Sequence, residues 1–322
     1  MTKKTRNNML EAFNISLSFD KAVLKNISFK VKKGQVMGLV GKSGAGKSSL
    51  LNILAGHLAP NEGEVHIENK KLTDPRELLV PGYEQIKIVS QDYQLDPYHT
   101  VEENIREALI SLPESEKIKR LRQLMKLMKL ENIADIKAIE ASGGEQQRLS
   151  IARAIALKPM VLLLDEPFSN LDAHLRANLF DHIRKLRDEE GMTIIIVSHD
   201  GQDVLGLSDF IYFMNNGKIG ARKTPFNAYY NLKHLGNSKL FGIVNQIKFE
   251  EKKIRFRPNE FENGNDIRIS YQNSIFLGTY YLNYFLTKND EQVILSSNRP
   301  LNKLQSVNIK KKNFKGKQSF ET

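Results

Sequence analysis

The sequence contains no cysteine, and its apolar residues occur in short runs. The absence of cysteine excludes a disulfide framework and suits a cytosolic chain. Apolar runs such as residues 161–164 and 194–197 are as long as buried strands. They are far shorter than the ~18 residues that a transmembrane helix needs. Any link to a membrane is therefore expected to pass through a partner chain.

Charge is unevenly distributed along the chain. The basic residues 1–6 are followed by Asn7 and Asn8 and not by an apolar segment, so we expect no secretory signal. Of the net charge of +11, residues 241–322 carry 14 Lys/Arg minus 8 Asp/Glu, which is +6. A solvated tail, an RNA contact or attraction to an anionic membrane surface would each explain the basic run at Lys310, Lys311, Lys312, Lys315 and Lys317. No RNP-type aromatic motif accompanies it, and we expect no nucleic-acid partner.

The first 220 residues alternate short apolar segments with longer amphipathic ones. This pattern predicts an α/β domain with a mostly parallel sheet covered by helices. One helical segment carries apolar residues on a single face, which we interpret as core (Ile118, Leu121, Leu124, Met125 and Met128). Strands are predicted at residues 36–40, 86–89, 161–164, 193–197 and 211–214.

The pattern changes after about residue 236. Short alternating segments, such as residues 253–256 and 280–286, are separated by predicted turns at Asn263-Gly264 and at residues 288–290. We therefore predict a first domain at residues 1–236, with a helical subdomain at about 92–157. A small all-β domain would occupy residues 237–322, after a linker at 235–238. We find no internal repeat, so one domain of the first type is expected.

A glycine-rich segment follows the first predicted strand. Its residues match the P-loop pattern: Gly41, Lys42, Ser43, Gly44, Ala45, Gly46, Lys47 and Ser48, with Ser49 next. Backbone N–H groups of such a loop wrap phosphates, aided by the start of the following helix. Lys47 would reach the β- and γ-phosphates, and the Ser48 hydroxyl would bind Mg²⁺.

Two adjacent carboxylates end another predicted strand. Asp165 and Glu166 follow the apolar residues 161–164, at the edge where ligands of parallel sheets bind. Neighbouring side chains on a strand point in opposite directions, so different roles are expected. We predict that Asp165 holds Mg²⁺ and that Glu166 orients the attacking water as a base.

A second helix start carries small polar residues. In the segment 141–148, Ser142 is a good N-cap, and Glu145 is placed to complete a capping box. Gly143 and Gly144 leave the helix N-terminus open to a γ-phosphate. Because the P-loop already binds phosphate, a second such helix start suggests that each nucleotide lies between two copies of the protein.

The spacing of these motifs resembles that of the ABC ATPases, over residues 10 to about 235. The resemblance implies that Gln91 contacts Mg²⁺ and the attacking water, and that Ser142, Gly143 and Gly144 close on the ATP of a partner copy. It also implies that Asp172 communicates across the dimer, that His199 contacts the γ-phosphate, and that Phe19 stacks on adenine. Departures from the family pattern are Ala141 where Leu is usual, Glu145 where Gln is commoner, and Phe19 in place of Tyr.

The implied protein is an ATP-hydrolysing subunit that drives separate membrane permeases from the cytoplasmic face, as a homodimer or paired with a related cassette. The segment Phe256-Arg257-Pro258 and residues 274–281 resemble the small OB-like domain of import ATPases, which predicts an importer with a solute-binding protein. The Ser-Gly-Gly-Glu-Gln-Gln-Arg signature keeps an exporter or lipoprotein-release ATPase as the alternative, although such chains normally lack an extension. A ribosome-bound ABC protein is a further alternative, but it would carry two cassettes.

Overall fold

A computed structural model of the chain describes residues 7–169 and 171–310. The basic residues 1–6, and Lys311, Lys312, Lys315 and Lys317 of the tail, lie outside the described residues. In the described ranges, no helix combines the length and the apolar character needed to cross a membrane. The chain divides into two compact units, Met1–Ala228 and Tyr229–Thr322. The division falls ahead of the predicted linker at 235–238, which forms a short helix.

The first unit is built on a mainly parallel sheet. All five predicted strands form, and most of their side chains are buried, as expected of strands covered on both faces. Val40 pairs with Ser198, and Asp165 pairs with Val197, so the carboxyl ends of three strands lie level at one edge. In spatial order the strands are β10 (Lys218–Ile219), β9 (Phe210–Asn215), β3 (Val36–Val40), β8 (Thr193–Ser198), β7 (Val161–Asp165) and β6 (Ile86–Val89).

An antiparallel sheet, absent from the sequence-based prediction, completes the core of this unit. It shares one hydrophobic cluster with the helix after β3 and with the central sheet, in which Leu10 and Ile27 join Leu50 and Leu163. In spatial order its strands are β2 (Ala22–Lys32), β1 (Asn8–Ser18), β4 (Glu62–Ile67) and β5 (Lys70–Lys71).

Three α-helices lie between β6 and β7, within the range predicted as a helical subdomain. On α3, Leu121, Leu124, Met125 and Met128 are buried as predicted, whereas Ile118 is 37% exposed and lies at the margin of this face. The helices of the chain are α1 (Lys47–Ala55), α2 (Val101–Ala108), α3 (Glu114–Met128), α4 (Gly143–Ala154), α5 (Ala173–Asp188), α6 (Gln202–Leu205), α7 (Pro225–Tyr230) and α8 (Leu235–Ser238).

The second unit consists of antiparallel strands around a small apolar core that includes Phe256, Phe285 and Leu295. The predicted turn at Asn263-Gly264 is wrong: β13 runs through it, with a register shift after Asn263 that absorbs the irregularity. The turn at 288–290 is confirmed. The strands are β11 (Asn245–Phe249), β12 (Lys252–Phe256), β13 (Phe261–Phe276), β14 (Tyr281–Thr287), β15 (Gln292–Ser297) and β16 (Ser306–Ile309).

A buried arginine holds the start of this second unit. The Arg257 side chain is fully buried, and its guanidinium lies over the Tyr229 ring, 4.1 Å from the centroid. It donates hydrogen bonds to the carbonyl oxygens of Tyr229 (2.8 Å), Ser238 (3.0 Å), Gly242 (3.2 Å) and Ile243 (3.1 Å). The guanidinium thereby supplies hydrogen bonds to backbone carbonyl groups that have no partner in a strand.

Candidate functional site

The glycine-rich loop connects β3 to α1 at the carboxyl edge of the central sheet. Gly46 is the N-cap of α1 with φ = 101°, a conformation that favours glycine. A Cβ on Gly41 would collide with the backbone carbonyl of Met214. Ser43, Gly44 and Ser48 are exposed, whereas Lys47 is buried. The loop therefore presents its polar groups outward above a packed base, as a phosphate cradle requires.

Lys47 places its ammonium group inside this loop. Its Nζ donates to the carbonyl oxygens of Gly41 (2.9 Å) and Lys42 (3.2 Å). The same nitrogen lies 3.5 Å from Oε1 of Glu166, which follows β7. The structure thus brings together the predicted phosphate-binding lysine and the predicted base.

Asp165 and Ser48 place two oxygen atoms that could bind a metal ion next to Lys47. Burial raises the pKa of Asp165, and the hydrogen bond from the Ser48 hydroxyl opposes that shift. Oδ1 of Asp165 is buried and has no hydrogen-bond partner among the described residues. A hydroxyl and an orphaned carboxylate oxygen fit Mg²⁺, which takes few protein ligands and completes its shell with phosphate and water. The described residues contain no cluster of three or more His, Cys, Asp or Glu side chains able to hold a metal by themselves.

Glu166 sits in a strained backbone conformation directly after Asp165. Its φ is 51°, uncommon for a residue with a side chain, and its N–H donates to the carbonyl of Val197 at 3.0 Å. Its Oε2 lies 2.6 Å from Nδ1 of His199 and accepts the His199 N–H at 3.2 Å. The carboxylates of Asp165 and Glu166 thus have different partners.

Gln91 follows β6, the edge strand beside β7, and is exposed. The next residues form a sharp turn in which Tyr93 (φ = 59°) and Gln94 (φ = 48°) are left-handed. The carbonyl of Tyr93 accepts the Ser150 hydroxyl (2.8 Å), and that of Gln94 accepts Nη1 of Arg153 (2.9 Å). Both donors belong to α4, so this helix fixes the turn after Gln91.

The predicted capping box is present at the start of α4, where the Glu145 carboxylate accepts the N–H (2.8 Å) and the hydroxyl (2.7 Å) of Ser142. Ser142 and Gly143 are exposed. A Cβ on Gly144 would lie 2.8 Å from the Leu175 side chain, so the start of α4 packs against α5. Among the described residues, no hydrogen bond joins Ser142, Gly143 or Gly144 to the phosphate loop.

Asp172 and Phe19 lie away from these contacts. Asp172 is the N-cap of α5, where its Oδ1 accepts the N–H of Leu175 at 2.8 Å, a structural role that sequence reasoning missed. Phe19 follows β1 and is 67% exposed, which leaves its ring face accessible.

A buried acid near His199 was also missed. Oδ1 of Asp203 pairs with Nη1 of Arg176 at 2.8 Å, and its Oδ2 accepts the Ser198 hydroxyl at 2.7 Å. Asp203 is only 4% exposed. Its burial could be suspected from the sequence only because Asp203 precedes the apolar pair Val204-Leu205 in the short helix α6.

Comparisons with known proteins agree with this geometry. The family model described as "ABC transporter" matches residues 24–169. The spermidine/putrescine import ATP-binding protein PotA of Mycoplasma mycoides subsp. mycoides SC is 37% identical over 264 residues, which cover 80% of this chain and 74% of the relative. PotA of Mycoplasma capricolum subsp. capricolum gives the same identity and coverage.

Solved structures match the cassette as well. CbiO1 from Clostridium perfringens, part of the ABC transporter complex cbiONQ, is 28% identical with a TM-score of 0.62, covering 68% of this chain and 89% of that one. The dimeric structure of the bacterial ABC transporter cassette MJ0796 is 31% identical with a TM-score of 0.61, covering 67% and 99%. This chain belongs to the ABC transporter family, as an ATP-binding subunit with ATPase activity.

Proposed function

We propose that the chain energises an importer as a head-to-tail pair of cassettes that bind ATP between them. The observation that carries this proposal is the convergence of Lys47, Glu166 and His199 at one sheet edge, in a chain 37% identical to import ATP-binding proteins over 80% of its length. The pairing is supported by MJ0796, whose cassettes were solved as a dimer, with ADP and phosphate bound in its post-hydrolysis state.

In this proposal the phosphate loop and Lys47 bind the nucleotide. Backbone N–H groups of residues 41–49 surround the phosphates, while Lys47 exchanges its loop carbonyl partners for phosphate oxygens. Phe19, with its exposed ring, stacks on the adenine.

Ser48, Asp165 and Gln91 would hold Mg²⁺, which neutralises charge on the phosphates when bound. Ser48 already donates its hydroxyl to Asp165, and Gln91 follows the neighbouring strand.

Glu166 orients the attacking water as the general base, and His199 contacts the γ-phosphate. Their 2.6 Å contact supports a shared task, because it fixes the carboxylate relative to the ring.

Ser142, Gly143 and Gly144 would close on the ATP of the partner copy, or of a related cassette, with Asp172 communicating across the interface. ATP favours the closed pair because the γ-phosphate is contacted from both copies only in that state. The segment 91–96 would pass the motion to transmembrane permease subunits, with the chain on the inner face of the membrane. CbiO1 belongs to a multi-subunit complex, which supports separate permeases.

The direction and the solute class rest on the relatives. Both Mycoplasma proteins are named for spermidine and putrescine import, so a polyamine is the first solute to test. The antiparallel second unit is proposed to be the small accessory domain of such importers, and a solute-binding protein is a further proposed partner.

The test of the catalytic assignment is Glu166→Gln. General-base catalysis contributes about 10²–10⁴-fold, so hydrolysis should fall by at least 10²-fold while ATP binding persists. ATP should then drive the chain into a stable dimer, measured by size-exclusion chromatography with light scattering. The exposed Glu189→Gln is the matched control. An unchanged hydrolysis rate in Glu166→Gln would exclude Glu166 as the base.

The test of import uses the chain with the membrane protein that co-purifies with it, in liposomes loaded with ATP. Labelled spermidine and putrescine outside should accumulate inside, and Glu166→Gln should abolish the uptake. Failure of any multi-spanning membrane protein to co-purify, or ATP-driven release of luminal solute from the liposomes that hold ATP inside, would contradict the importer assignment.

A further inference from the structure

The segment that carries His199 is anchored by the buried carboxylate of Asp203. Asp203 accepts the Ser198 hydroxyl at 2.7 Å, and the oxygen of that hydroxyl accepts the N–H of Asp200 at 2.9 Å. Ser198 and Asp200 flank His199 in the chain. These two hydrogen bonds therefore fix the backbone on both sides of the histidine, although the ring itself is exposed.

The same carboxylate is tied to helix α5 through Arg176. Nη1 of Arg176 lies 2.8 Å from Oδ1 of Asp203, and its Nη2 lies 3.5 Å from the carbonyl oxygen of Phe168. Phe168 follows Glu166 closely, and Arg176 is in the first turns of the helix that Asp172 caps. One arginine thus contacts the segments that carry the proposed base and the proposed dimer contact.

The pair is an expensive way to stabilise a fold. Taking a carboxylate out of water carries a penalty that an ion pair recovers only with good geometry, and an apolar pair of similar volume is often as stable or more so. Burial accordingly raises the pKa of Asp203, while Ser198 and Arg176 oppose that shift and nearby Asp200 and Glu166 reinforce it. A neutral apolar contact would hold α5 against α6. It would not fix the backbone around His199, the segment after Glu166 and the start of α5 relative to one another.

We propose that Asp203 and Arg176 are positioning residues for hydrolysis, which hold His199 in register with Glu166 and with the start of α5. They touch neither the phosphate loop nor the proposed metal ligands among the described contacts. Loss of the pair should therefore lower kcat and leave nucleotide binding intact. A misplacement of reacting groups by about 1 Å costs on the order of 10²-fold in rate.

The experiment measures kcat and KM for ATP hydrolysis, the Kd of a fluorescent ATP analogue, and thermal unfolding, all on the full chain. Asp203→Ala should lower kcat at least tenfold, with KM and Kd within twofold of the parent. Asp203→Asn keeps an acceptor for Ser198 and should retain more activity than Asp203→Ala. Arg184→Met is the control for the loss of an ion pair on α5. Arg184 pairs with Asp181, and the two side chains are 62% and 64% exposed, so its loss should leave kcat unchanged.

The double variant Arg176→Met/Asp203→Leu separates positioning from stability. The double variant should be at least as stable as Asp203→Ala, because it leaves no arginine without its partner, while kcat stays low because Ser198 has lost its acceptor. Recovery of kcat together with stability would overturn the proposal, as would loss of ATP-analogue binding in Asp203→Ala. Because binding is measured separately, failure here is distinct from failure of the ATPase assignment.

Discussion

Arg257, which is fully buried in the second unit, should contribute strongly to the stability of that unit. The change Arg257→Met keeps an apolar stem and removes every donor. The carbonyl oxygens of Tyr229, Ser238, Gly242 and Ile243 then lose their guanidinium partner. A buried group left unsatisfied costs about 1–3 kcal/mol, so these losses sum to roughly 4 kcal/mol or more. Rehydration of some carbonyls and relief of the buried cation offset part of this.

We therefore expect Arg257→Met to lower the free energy of unfolding of the second unit by about 3 kcal/mol. Native-state hydrogen exchange of the full chain measures this unit by itself, through peptides from β13, β14 and β15. At a tenfold change per 1.4 kcal/mol, amides that open with the unit should exchange about 10²-fold faster. Arg268→Met, an exposed arginine on β13, should change exchange little. A loss below about 1 kcal/mol for Arg257→Met would refute the additive treatment of these hydrogen bonds.

Two further predictions concern the first unit. Burial and neighbouring positive charges lower the pKa of His182, so the unfolded chain binds a proton that the folded chain does not. The free energy of unfolding, measured by urea titration, should fall as pH drops below about 6.5, by at most about 1.4 kcal/mol per pH unit. His182→Gln should flatten this slope, and the exposed His174→Gln should leave it unchanged. An unchanged slope in His182→Gln would show that His182 is not the source of the pH dependence. Arg153→Met should speed hydrogen exchange in residues 91–96 by removing the donor to Gln94, whereas the exposed Arg122→Met should leave it unchanged. Equal protection in both variants would mean that Arg153 does not hold this turn.

The parallel strands could be predicted from local sequence because strands buried on both faces are short continuous apolar runs. The antiparallel sheet could not. Register shifts in the pairing of β1 with β2 and β4 break the alternation that identifies a half-buried strand. Glu11, buried within β1, adds a charged residue where the pattern requires an apolar one, and it pairs with Lys30 on the neighbouring strand β2.

Some parts of the candidate site could likewise be predicted from the sequence, and others could not. The phosphate loop, the two carboxylates and the capped start of α4 are each contiguous in the chain, so their chemistry is readable from spacing. The contacts that position them are not contiguous. Arg176 and Asp203 are 27 residues apart, and Arg153 and Gln94 are 59 apart. Each is an ordinary polar residue whose partner is decided by how the helices pack.

Gly143 shows what a single chain leaves unexplained. A Cβ at this position would meet nothing within 4 Å, and its φ lies outside the range that demands glycine. Gly144, by contrast, faces the Leu175 side chain, which a Cβ at position 144 would displace. Packing within the described residues of one copy therefore does not explain a glycine at 143. The open space at Gly143 and the exposed Ser142 at the same helix start leave room for a second molecule, and the proposed head-to-tail dimer places the partner's ATP there.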